Sequence, residues 1–256
     1  MNLQEKQKKV KDLRPIDDVF FEVLAKNTAV CQEILRVILE DADLTVIQVI
    51  TQSSERNLYG RSVRLDALCT LRDETQCNIE VQRSNNDNHL RRVRFNAASI
   101  TVKESHPGDH FKDILELYIV YISESDFFKE RKTIYHMDKI LRETGTVIDD
   151  GLHEIFVNTQ IDDGTDIAEL MSCFKQKEVN NPKFPETSAE VARLKETEGG
   201  TTAVCEVMEK YENLAVKNAN IEKIIRMLEK NYSKDEILDI GYTEDEFSEA
   251  KKQMSQ

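Results

Sequence analysis

The chain has 256 residues, 39% hydrophobic and 32% charged, a composition that fits a soluble globular protein with a sizeable core. Its formal net charge of -13 speaks against a broad nucleic-acid surface, because a phosphate backbone repels acid and a DNA partner normally leaves a basic footprint. No run approaches the length of a membrane span, and the residues from Met1 to Lys9 lack the apolar core of a signal peptide, so a cytoplasmic location is expected.

In chain order, residues 15–27 read as a first helix, with Pro15 near its start and Asp17 and Asp18 in the first turn, where acids suit the helix dipole. Residues 28–40 place Val30, Ile34, Val37 and Ile38 near one helical face. Residues 46–50 look like a first strand. Two alternating runs follow, residues 64–71 and 77–83, joined by a polar connector of hairpin length, which predicts two strands with one apolar and one mostly polar face. Leu90, Val93, Ala97 and Ile100 then form a helical stripe flanked by Arg91 and Arg94. Residues 117–122 are a continuous apolar run, consistent with a buried strand, and residues 153–159 suggest another. Phe127, Phe128 and residues 134–142 fill the connection between them and read as structural. Helices alternating with strands, plus one hairpin, predict an α/β fold: a mixed sheet covered by helices.

From about Asn180 the composition shifts. Residues 180–187 are linker-like, and the rest is helical in pattern, with Ile221, Ile224, Ile225 and Leu228 on one face. Ser233 to Glu236 and Thr243 to Glu246 are two capping boxes. Acids outnumber bases here, so the region reads as a docking or dimerisation element, and a homo-oligomer formed through these helices is the expectation. The predicted division is a domain over residues 10–179 and a helical C-terminal region over residues 180–256.

The hairpin carries the chemistry. With an odd-numbered loop centred near Asp73, Asp66 lies opposite Glu80 on one face, with Gln82 one step along; a one-residue slip separates them. Two facing carboxylates repel unless a proton or cation intervenes. Magnesium suits Asp66, Glu80 and a backbone carbonyl such as that of Val81. On spacing alone, the same acids also fit an ordinary exposed hairpin face. Around them in sequence stand Arg61, Arg64, Arg83, Arg91, Arg92 and Arg94, whose guanidinium forks suit phosphate. This half is close to neutral: residues 1–110 hold 16 Lys and Arg against 17 Asp and Glu, and the remainder holds 19 against 31.

Other chemistries find little support. The histidines His89, His106, His110, His136 and His153 lack zinc-hydrolase spacing and read as loop or surface residues. Cys31, Cys69, Cys77, Cys173 and Cys205 show no Cys-x-x-Cys and read as reduced core thiols. No Gly-x-Ser-x-Gly or phosphate-binding glycine loop is present.

Several segments together resemble the PD-(D/E)XK nuclease superfamily, in particular the Rpn-type recombination-promoting nucleases and transposases. Asp17-Asp18-Val19-Phe20 is similar to that family's opening, Leu65-Asp66 to its Leu-Asp motif, Ile79-Glu80-Val81-Gln82 to its Glu-x-Gln signature, and Arg91-Arg92-Val93-Arg94-Phe95 to its arginine-rich helix start. The resemblance runs over about residues 10–175, with the motifs in the family's order. It implies a restriction-endonuclease-like fold and a magnesium-dependent DNA endonuclease, with manganese as an alternative ion. Asp66, Glu80 and the Val81 carbonyl would hold the metal. Gln82, in the place of the superfamily's usual lysine, would orient water or a phosphate oxygen, and Asp17 would add an acid. Arg83, Arg91, Arg92 and Arg94 would contact the DNA backbone. A non-catalytic nucleic-acid-binding or protein-interaction module that keeps the nuclease fold is the alternative.

Overall fold

The computed structural model describes residues 3–56, 62–83, 88–108 and 110–254; Arg61 lies outside the described residues. The chain separates into two compact units, Met1–Val204 and Cys205–Gln256.

The first unit opens with α1 (Leu3–Asp12), α2 (Asp18–Leu24) and α3 (Thr28–Ile38). α2 starts three residues later than the helical pattern suggests. The Asp17 carboxylate accepts from Arg14 N at 2.6 Å, and Asp17 N donates to Arg14 O at 2.9 Å, so residues 14–17 form a turn. The strands β1 (Val46–Arg56), β2 (Ser62–Leu71) and β3 (Gln76–Gln82) precede α4 (His89–Glu104). Next come β4 (Leu117–Ser123), β5 (Ile134–Met137), the short pair β6 (Lys139–Ile140) and β7 (Val147–Ile148), and β8 (Leu152–Asn158). α5 (Asp166–Lys175), α6 (Pro185–Glu196) and the start of α7 (Glu198–Glu229) complete the unit.

Six strands form one mixed sheet in the order β1-β2-β3-β4-β8-β5. β1, β2 and β3 are antiparallel neighbours, β3, β4 and β8 run parallel, and β5 returns antiparallel on β8. With its flanking helices this is the expected restriction-endonuclease-like α/β architecture. Phe127 and Phe128 are structural as expected, both rings packing on Phe156, but residues 134–142 are more than a connection: β5 forms an edge of the sheet and β6 pairs with β7.

The expected polar face of the hairpin is not a wet one. α4 lies over it, and Leu68, Val93, Ala97, Ile100, Leu117, Ile119, Tyr121 and Phe156 form one core there. Parallel strands in the middle of a sheet are covered on both faces, which is why β4 reads as unbroken apolar sequence. The helical stripe is also shifted. Leu90 is exposed, and His89 takes the buried position a turn before Val93, its Nδ1 2.8 Å from the Tyr121 hydroxyl and its ring stacked on Phe127. The surface assignment of His89 is therefore corrected: the packing of α4 turns it inward. All five cysteines are buried free thiols, and burial pushes Cys77 up to about 12, as expected of inert core residues.

The contacts divide after Val204, beyond the composition shift near Asn180. The reason is local: Glu33 of α3 accepts from Glu186 N at 3.0 Å and Thr187 N at 2.9 Å, tying the start of α6 to the first unit. Within the second unit, the last turns of α7, α8 (Lys234–Asp239) and α9 (Glu244–Met254) enclose a small core of Ile221, Ile224, Ile237, Phe247 and Ala250. Both capping boxes form, Ser233 with Glu236 and Thr243 with Glu246.

Candidate active site

The hairpin loop sets the register. Leu71 N donates to Thr75 O at 2.9 Å, and Glu74 takes a φ of 71°, the left-handed position that a three-residue connection requires. The loop is centred on Asp73, so Ala67 faces Ile79 and Leu68 faces Asn78. One step further brings Asp66 level with Glu80. There the regular β2–β3 ladder has ended, and side chains take over the backbone donors: Val81 N donates to Asp66 Oδ2 at 3.0 Å, and Asp66 N to Glu80 Oε1 at 3.3 Å. The two carboxylates share a face and interlock across the strand gap.

Both are buried, Asp66 at 9% and Glu80 at 1% exposure. Burial raises the Asp66 pKa well above the ordinary carboxylate value, with the Glu80 charge adding to the rise and the Val81 N–H opposing it. Glu80 is also raised by burial, against the pull of the Asn78 amide and the Arg92 guanidinium. Asn78 Nδ2 donates to Glu80 Oε1 at 2.9 Å. The other oxygen, Oε2, is buried without a hydrogen bond, and Arg92 Nη2 lies 3.9 Å from it. Gln82 is half-buried, and its Oε1 accepts from Arg92 Nη1 at 2.9 Å.

Asp17 is engaged by two arginines. It is held by Arg83 at 2.8 Å and Arg14 at 3.3 Å, and both guanidiniums also reach Glu124. The neighbouring Asp18 is the acid of α2 whose charge acts on Asp66. Although Asp18 keeps exposed surface, crowding of its carboxyl raises its pKa by burial, with Arg92 among the charges opposing the rise. One turn on, Glu22 is buried with Arg64 Nη2 at 3.5 Å. Asp18 and Glu22 stand four apart on a helix, a spacing visible in the sequence, but only the packing of α2 shows which acids turn toward the strands. Asn78 and Asn96, both buried at the Glu80 carboxylate, had no sequence signal beyond being polar residues within apolar patterns. Of the remaining arginines, Arg91 and Arg94 are exposed on α4, and Arg83 is exposed but paired.

The profile of the PD-(D/E)XK nuclease family transposases matches residues 16–166, more than half of the chain. The chain belongs to this family. No curated protein and no solved structure matches it. In this family member the matched region contains Asp18, Asp66, Glu80, Gln82 and Arg92, the groups gathered at the end of the hairpin.

PD-(D/E)XK nucleases generally use divalent metals, and the residues present fit such an ion. A buried carboxylate oxygen with no hydrogen bond, beside a second carboxylate raised by burial and like charge, is costly without a cation. The donors are oxygens, as a hard cation prefers. The Val81 carbonyl points to the same side as its N–H, which reaches Asp66.

A second group of ligand-type atoms lies elsewhere among the described residues. Glu116, Asp149 and His153 bring one atom each within 4.8 Å of one another, with both acids exposed. They sit at the starts of β4 and β8, beside a cavity of about 410 Å³, whereas Glu80 lies toward the end of β3. Among the described residues no helix is long and apolar enough to cross a membrane.

Proposed function

We propose that this family member is a divalent-metal-dependent DNA endonuclease that hydrolyses phosphodiester bonds, with a role in recombination or transposition. The observation that carries the reading is the buried Asp66–Glu80 pair with its unsatisfied Glu80 Oε2. Asp66, Glu80 and the Val81 carbonyl hold the ion, magnesium or manganese. When bound, such an ion lowers the pKa of a coordinated water and offsets charge on the scissile phosphate. Asn78 orients Glu80 by fixing Oε1, leaving Oε2 for the ion. Asp18 contributes negative charge from α2. Gln82 positions water or a phosphate oxygen. Arg91 and Arg94, exposed on α4, meet the DNA backbone, and Arg83 serves there once drawn from Asp17 and Glu124.

Incubating the protein with supercoiled DNA and magnesium or manganese, beside Asp66→Ala and Glu80→Ala, tests the reading. Nicked or linear product is expected from the wild type and not from the variants. Cleavage that survives Asp66→Ala, or that ignores chelation of divalent ions, would overturn it. Magnesium titration separates the enzyme from a non-catalytic scaffold with the same fold, because the enzyme must bind the ion.

A further inference from the structure

Hydrolysis of a phosphodiester builds negative charge on the phosphate, and fixed donors and cations aimed at it carry much of the catalysis. β3 offers no cation at this point, since the residue that shares a face with Glu80 one step along is the neutral Gln82. The charge comes from the next helix. Arg92, in the first turn of α4, donates Nη1 to Gln82 Oε1 at 2.9 Å and holds Nη2 3.9 Å from Glu80 Oε2. A side-chain amide has one accepting end and one donating end. With Oε1 occupied by the guanidinium, the two N–H groups of Nε2 are what Gln82 can present to an incoming oxygen.

We infer that Arg92 is the positioning residue of this site: it fixes Gln82 with its N–H end available to the phosphate and supplies from α4 the positive charge that β3 lacks. This rests on the nuclease reading above. It differs from a DNA-backbone contact, because Arg92 is engaged with β3 side chains before any substrate arrives. Its planar fork matters as well as its charge, since two nitrogens serve two different partners.

Such a role separates rate from binding. Arg92→Gln is expected to lower the single-turnover cleavage rate by about 10²-fold with magnesium. Affinity for the same duplex in calcium should change by less than about threefold, roughly the scale of one exposed ion pair. Arg92→Lys keeps the charge without the fork and should recover only part of the rate. Gln82→Lys placed on the Arg92→Gln background returns a cation to β3 and should recover at least about tenfold. A parallel loss of rate and affinity in Arg92→Gln, or a wild-type rate, overturns the inference while leaving the nuclease reading intact. NMR of the metal-free protein provides a readout without turnover: the Gln82 side-chain amide signals should move in Arg92→Gln while the backbone amides of β4 and β8 stay in place. Unmoved Gln82 signals also overturn it. A wild-type protein that cuts no DNA with any divalent ion refutes the nuclease reading, and this inference with it.

Discussion

Two acidic groups sit toward opposite ends of the central sheet and on opposite faces of it. At the end of the hairpin, Asp66 and Glu80 are buried, raised in pKa, and leave one carboxylate oxygen unsatisfied. At the starts of β4 and β8, Glu116 and Asp149 are exposed, Glu116 is already bonded to His153, and the His153 ring stacks on Tyr118. The second group has the more varied ligand chemistry and the adjoining cavity, and the first has the physical tension. Like charge in water is screened and inexpensive, whereas like charge under a helix is tolerated only where something else holds it. Proximity of ligand atoms is therefore a weaker signal of function than a buried pair of carboxylates with an oxygen left without a hydrogen bond.

The comparison breaks most directly through activity. Asp66→Ala and Glu80→Ala should each lower magnesium-dependent cleavage by on the order of 10³-fold, read by single-turnover assay. Asp18→Asn should weaken apparent magnesium affinity by roughly tenfold, as changes beside metal ligands do, with cleavage restored at higher magnesium. Glu116→Gln and His153→Gln should leave both quantities within about twofold, since exposed substitutions rarely move stability by more than ~0.5 kcal/mol. A loss of magnesium-dependent cleavage in Glu116→Gln comparable to that in Asp66→Ala would reverse the ranking of the two ends.

Stability gives a smaller but sharper contrast. The folded pKa values of Asp66 and Glu80 lie above the ordinary carboxylate range, so the fold favours their protonated forms. That contribution is fully present below the ordinary carboxylate pKa and is lost as pH rises through the raised values. The metal-free protein should therefore lose Tm with rising pH across this window, and magnesium should restore it more strongly at the upper end. Asp66→Asn removes the repulsion and should stabilise the metal-free protein at neutral pH by about 1 kcal/mol, as relief of strain at functional sites commonly does. A Tm independent of pH in this window, followed by differential scanning fluorimetry, would contradict the electrostatic account.

Much of this architecture was legible in local sequence. Alternation gave β2 and β3, the unbroken apolar run gave β4, and Ser233-x-x-Glu236 and Thr243-x-x-Glu246 gave two helix starts, because each is set by neighbours within a few residues. The Asp73-centred loop was one of two registers open in the sequence, and the Leu71–Thr75 hydrogen bond with Glu74 in the left-handed region selects it. His89 and Leu90 exchanged places because the orientation of α4 depends on Tyr121 and Phe127, which lie more than thirty positions away. Asp17 and Asp18 look alike in sequence as consecutive residues at a helix start, and the docked helix gives them different surroundings: Asp17 is ion-paired with Arg14 and Arg83, while the Asp18 charge acts on Asp66. The sequence by itself determined β2, β3, β4 and the caps, all consequences of short-range periodicity, and reduced the facing of Asp66 and Glu80 to a question of register that the Leu71–Thr75 hydrogen bond answers. Only the tertiary structure decided that α4 buries those acids and brings Arg92 to Gln82, because burial and charge are properties of what packs across the sheet.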